Sequence, residues 1–120
     1  MKALVADDDL ENRDILVRML AHAGWDADSV GGGGEAVARI LAGGYDAALL
    51  DLAMPGVDGF EAARRIRSAG IRIPLVAVSG AEAEERARES GFEYCLEKPY
   101  TLEDLRRVLR EIRKNAGLRE

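Results

Sequence analysis

Short apolar runs and amphipathic stretches take turns five times along this chain. The runs at residues 3–6, 27–30, 47–50, 75–78 and 94–96 are too short for helices and read as strands. Leu75-Val76-Ala77-Val78 is apolar without a break, as a strand covered on both faces requires. Ala27-Asp28-Ser29-Val30 is the least apolar run, which places it at a sheet edge. Between the strands the period lengthens. Leu16, Leu20 and Ala23, with Ile15 and Met19 alongside, mark a first helix stopped by Gly24. Val37, Ile40 and Leu41 mark a second, after a flexible loop of glycines at 31–34. Phe60, Ala63 and Ile66 mark a third, ended by Gly70. In the last helix Leu102, Leu105, Val108, Leu109 and Ile112 share one face, and Thr101 is placed as its N-cap. The fourth, around residues 82–90, has only Ala83 and Ala87 to bury and is expected to be loosely held.

Five strand–helix units predict an α/β fold, a (βα)5 parallel sheet with helices on both faces, because crossovers between parallel strands are right-handed. At 120 residues and 13.0 kDa the chain suits one core, and residues 1–120 read as a single domain. The tail at 115–120 is too short to carry an output function. A net charge of −5 argues against direct nucleic-acid binding, which needs a basic patch. No apolar run nears the ~18 residues of a membrane span, and the Met1 start has no signal-peptide layout. The single cysteine, Cys95, excludes an internal disulfide and suits the cytoplasm, where it reads as a small buried apolar residue.

Ligands of open parallel sheets sit beyond the carboxyl ends of the strands. Asp7, Asp8, Asp51, Ser79 and Lys98 all fall at such ends. Carboxylates there make poor structural elements but a good seat for Mg²⁺, a hard cation that prefers carboxylate and carbonyl oxygens. Asp8 and Asp51 read as direct ligands, Asp7 as one acting through water, and the Ala53 backbone carbonyl as a further donor. Asp51 is also a candidate nucleophile that forms an acyl phosphate, with Lys98 neutralising charge and the Ser79 hydroxyl bonding a phosphoryl oxygen. Met54-Pro55-Gly56-Val57-Asp58-Gly59 supplies the tight bend beside Asp51 through Pro55, Gly56 and Gly59. Other polar residues have plainer readings. Asp9 is an N-cap, Asp58 does turn and cap work, His22 is a surface residue suited to a helix C-terminus, and Trp25 covers an end of the core.

Val5-Ala6-Asp7-Asp8, the run from Leu50 through Gly59, Val78-Ser79-Gly80 and Lys98-Pro99 carry a resemblance to the receiver domains of two-component response regulators. The resemblance covers essentially the whole chain. It implies a flavodoxin-like three-layer sandwich with strand order 2-1-3-4-5. It implies that Asp51 takes phosphate from a histidine kinase or histidine phosphotransfer protein with Mg²⁺ as cofactor. It further implies that Asp7 and Asp8 are the acidic metal pair, Ser79 the hydroxyl switch, Lys98 the phosphoryl partner, and Lys98–Pro99 a cis bond. The chain departs from the family in three places. Cys95 stands where the family usually has an aromatic switch residue, with Tyr94 on the opposite strand face, and Ala53 and Ala81 flank the acyl phosphate. The expected protein is a stand-alone receiver with an unknown downstream protein target and a possible phosphorylation-dependent homodimer. The alternatives are a receiver cut from a longer transcription factor or hybrid kinase, a scaffold, and a small Mg²⁺-dependent phosphatase with an aspartate nucleophile.

Overall fold

The computed structural model describes residues 1–117. The last three positions of the 115–120 tail lie outside the described residues. The chain runs β1 (Lys2–Ala6), α1 (Leu10–His22), β2 (Asp26–Val30), α2 (Gly33–Ala42), β3 (Ala47–Asp51), α3 (Gly59–Ser68), β4 (Leu75–Ser79), α4 (Glu84–Ser90), β5 (Tyr94–Glu97) and α5 (Leu102–Asn115). All four strand pairings are parallel, and the order is β2-β1-β3-β4-β5. The polar strand β2 is indeed an edge.

Strand alternation divides the core into two layers. Leu4, Ala48, Leu50, Leu75 and Ala77 face α2, α3 and α4, packing with Val37, Ile40, Phe60, Ile66 and Phe92. Ala3, Val5, Leu49, Val76 and Val78 face α1 and α5, packing with Leu16, Leu20, Trp25, Leu105, Leu109 and Ile112. The central strands β3 and β4 are buried at every residue, which explains the apolar runs that lead up to their closing Asp51 and Ser79.

The caps follow the sequence. Asp9 accepts a hydrogen bond from the Asn12 amide, Asp58 accepts one from Glu61, and Thr101 forms a reciprocal capping box with Asp104. Three positions differ from expectation. Ile15 and Leu41 sit on the exposed sides of their helices, so neither belongs to the core. The glycine run at 31–34 is not all loop, because Gly33 and Gly34 form the first turn of α2. Gly33 is buried there, and a Cβ on it would meet the Val57 backbone carbonyl. The glycine lets α2 brace the loop that follows β3.

Helix α4 spans only seven residues, with Ala87 and Ser90 buried and no side-chain cap at Ala83. Its far end is tied more firmly. Arg67 donates to the Gly91, Ile71 and Ile73 carbonyls at 3.0, 2.8 and 2.9 Å and pairs with Glu93 at 2.8 Å. Burial lowers the Arg67 pKa, yet every one of these partners is an oxygen that favours the charged form.

Candidate functional site

Parallel strands that start together end together, and here their ends gather residues far apart in sequence. Asp7 follows β1, Asp51 closes β3, Ser79 closes β4 and Lys98 follows β5. Two backbone bonds carry the ladder one residue further, from Asp7 N–H to the Val30 carbonyl and from Lys98 N–H to the Ser79 carbonyl. They fix where the Asp7 and Lys98 side chains leave the sheet.

Asp7 and Asp51 are buried, each 6% exposed, while Asp8 faces solvent. The three can each offer a carboxylate oxygen within 4.8 Å of the others. Asp51 Oδ2 accepts from Lys98 Nζ at 2.9 Å, and Asp51 Oδ1 accepts from the Ala53 amide at 2.9 Å. Asp7 Oδ1 accepts from the Asp9 amide at 2.9 Å, and Arg13 donates to the Asp7 carbonyl at 3.1 Å. Burial pushes the Asp7 carboxyl above the ordinary aspartate value; the Asp9 amide opposes the shift and the Asp51 charge adds to it. A set of hard oxygen donors with one lysine as counter-charge suits a divalent cation such as Mg²⁺.

A cavity of about 830 Å³ opens beside these groups, lined by Asp51, Ala53, Phe60, Ser79, Arg86 and Lys98, among others. Ser79 Oγ donates to the Gly80 carbonyl at 3.1 Å, so the hydroxyl is present at the cavity without touching Asp51. The loop after β3 makes its bend as the sequence suggests, with Gly56 at φ +74°. Gly59 is crowded instead: a Cβ there would lie 2.5 Å from the Asp51 carbonyl oxygen and 2.8 Å from Leu52 Cα. Its missing side chain lets α3 start directly beneath Asp51. The Lys98–Pro99 bond is cis.

Every residue assigned from sequence to the strand ends therefore converges there. Cys95 is half-buried rather than buried, against the α2–α4 layer, and burial raises its thiol pKa. Tyr94 packs in the other layer, where its hydroxyl accepts from Asn115 Nδ2 at 2.7 Å. The two residues do occupy opposite faces.

Two contributors were not singled out from sequence. Tyr100 lines a second groove with Asp7, Asn12, Ile15, Lys98 and Pro99, and its phenol is pushed up by burial and by the charges of Asp7 and Asp51. Its place directly after Lys98-Pro99 was the available signal. Arg86, on α4, gave none: a helical arginine amid alternating charges looks like any solvated face.

Comparison with known proteins agrees with this fold. The model of the response regulator receiver domain family matches residues 3–110. Sensor histidine kinase RcsC of Salmonella typhi is 36% identical over 112 residues, which is 91% of this chain and 12% of that protein. Transcriptional regulatory protein TcrA of Mycobacterium tuberculosis is 33% identical over 98% of this chain and 48% of its own length. The chain thus spans half or less of these curated relatives. Among solved structures, the Francisella response regulator 1452 receiver domain superposes with a TM-score of 0.87 at 27% identity, covering 96% of this chain and 98% of that one. The receiver domain of sensor histidine kinase PA1611 from Pseudomonas aeruginosa has a TM-score of 0.84 at 30% identity over 92% of this chain and 94% of its own. That structure has a magnesium ion coordinated in its active site cleft. By sequence match and by fold, the chain belongs to the response regulator receiver domain family of two-component systems.

Proposed function

We propose that Asp51 is the phosphoacceptor of this receiver, taking a phosphoryl group from the phosphohistidine of a histidine kinase or phosphotransfer protein. The observation that carries the proposal is the double hold on the Asp51 carboxylate, by Lys98 Nζ and the Ala53 amide, at the mouth of an open cavity. An Asp51 oxygen forms the new P–O bond as the P–N bond of the donor breaks. The departing imidazole nitrogen keeps the electron pair and later takes a proton. The Ala53 amide and Lys98 orient the carboxylate, and the Lys98 ammonium stays to meet the charge of the product. Asp7, Asp8, Asp51 and the Ala53 carbonyl would hold Mg²⁺, which supplies further charge neutralisation when bound.

The domain, read over residues 1–120, acts on this view as a phosphoacceptor and not as an enzyme with an outside substrate, because Ala53 brings no general acid beside Asp51. The cytoplasm is its proposed place; among the described residues no helix is long and apolar enough to cross a membrane. The product adds roughly −1.5 to −2 charge to the cavity. Ser79 then leaves the Gly80 carbonyl for the phosphoryl group and draws the loop toward the lightly anchored α4. The surface of α4, β5 and α5 changes for a downstream protein or a second copy.

Incubation with acetyl phosphate and Mg²⁺ followed by intact-mass measurement tests the assignment. One added phosphoryl group on the wild type, absent from Asp51→Asn, is the expected result. A wild type that takes up none, or an adduct that survives the substitution, would overturn it.

A further inference from the structure

The cavity beside Asp51 contains a cation that the phosphoacceptor reading leaves without a task. Arg86 lines it together with Asp51, Ser79 and Lys98. The guanidinium carbon lies 3.8 Å from the centroid of the Phe60 ring. Among the described residues this guanidinium donates no hydrogen bond and joins no ion pair. The other cation of the cavity is committed, since Lys98 holds Asp51. The next arginine along α4 is committed too: Arg88 pairs with Glu84 at 2.9 Å and lines a different groove, toward Arg64 and Arg67.

A stacked guanidinium uses its face, and its N–H edge stays open to an anion. A phosphoryl group on Asp51 would bring dianionic oxygens into the same cavity, and paired N–H donors suit such oxygens well. An exposed stack on a phenyl ring is a weak competitor for that charge. We infer that Arg86 is a second cationic contact for the phosphoryl group, exchanging the Phe60 ring for the new anion and bringing the first turn of α4 with it. The inference rests on the phosphoacceptor reading of Asp51 and adds the residue that couples the site to α4.

The anchoring of α4 permits this motion. Its C-terminal end is fixed by Arg67 on the Gly91 carbonyl, by Phe92 in the core and by Arg64 on Ser90. Its N-terminal end has no side-chain cap, and Ala83 there is only half-buried. Arg86 lies between the two, where the Phe60 stack joins α4 to the start of α3. Exchange of that contact swings the free end and leaves the clamp closed.

Beryllofluoride with Mg²⁺, a mimic of the phosphoryl group, tests the inference on the whole chain. Affinity for the mimic and amide hydrogen exchange across residues 80–91 are measured for the wild type, Arg86→Ala, Arg86→Lys and Arg88→Ala. Arg86→Ala should bind the mimic about fivefold more weakly, as loss of one solvent-screened charge-assisted contact implies. Arg86→Lys should recover part of that loss, and Arg88→Ala should match the wild type. Mg²⁺ affinity without the mimic should be the same in all four. The exchange response of the first turn of α4 should vanish in Arg86→Ala. Equal mimic binding and equal exchange in Arg86→Ala and wild type would overturn the inference while Asp51 phosphorylation stands. A loss of the same size in Arg88→Ala would also overturn it, by showing a general charge effect. A wild type that accepts neither the mimic nor phosphate would remove the Asp51 reading first, and this inference with it.

Discussion

Asp28, on the edge strand, and Asp7, at the mouth of the sheet, are the same residue type in opposite surroundings. Asp28 accepts a 2.7 Å hydrogen bond from the Tyr45 hydroxyl and faces Lys2 Nζ at 3.1 Å and Arg39 at 3.8 Å. The Tyr45 bond, then the Lys2 bond, hold its carboxyl below the usual aspartate value. Asp7 is buried, with Asp51 beside it, and its carboxyl is held above that value. One acid has been given its counter-charges by the fold; the other has been left to wait for them. Charge compensation is readily available to this chain, so its incompleteness at Asp7 supports the proposed cation site there.

The comparison can be sharpened first by crowding one side of it. Gly59→Ala pushes a methyl group into the Asp51–Leu52 backbone and should cost about 2–3 kcal/mol of stability. It should also weaken the response to Mg²⁺, with the Asp28 network untouched; denaturant unfolding with and without the cation measures both.

Smaller effects follow from the charges themselves. At neutral pH and without metal, Asp7→Asn should stabilise the protein by about 1 kcal/mol, because it removes a buried charge set against another. Asp28→Asn should destabilise it by about 0.3 kcal/mol, the scale of an exposed pair. Two shifts of the same sign would break the contrast. The pH dependence separates the sites as well. Because Asp7's native pKa is raised, its stabilising contribution is complete below the unfolded value of about 3.9 and disappears as pH climbs through the native value. Because Asp28's is lowered, its contribution is present above about 3.9 and disappears as pH falls through the native value. Melting curves of each variant against wild type from acid to neutral pH should therefore diverge in opposite directions.

The cation alone should give a comparably small change. At concentrations near its Kd, Mg²⁺ should raise stability by roughly 0.3–0.9 kcal/mol and move the melting temperature upward. Asp28→Asn should keep that rise and Asp8→Asn should reduce it. An unmoved wild-type curve would count against the metal site.

Much of this was legible in the sequence because it depends on local rules. The unbroken apolar runs of β3 and β4, the polarity of β2, and the capping side chains of Asp9, Asp58 and Thr101 each declare their structure within a few residues. The strand ends were legible because parallel strands carry their last residues to one rim. Contacts between distant elements were not. Gly33 looks like loop material until Val57 is seen above it, and Ile15 and Leu41 fit a helical period without reaching a partner layer. Tyr45 with Asp28, Arg67 with Gly91, and Arg86 with Phe60 join segments that no periodicity connects.

Trp25, the single tryptophan of the chain, is 2% exposed in the α1–α5 layer, at the opposite end of β2 from the acids. Its indole is thus a native fluorophore shielded from solvent, at the other end of the sheet from the proposed phosphoacceptor. Emission should stay constant through phosphate and cation binding and shift only when the core opens, so one unlabelled optical signal can follow unfolding in every experiment above.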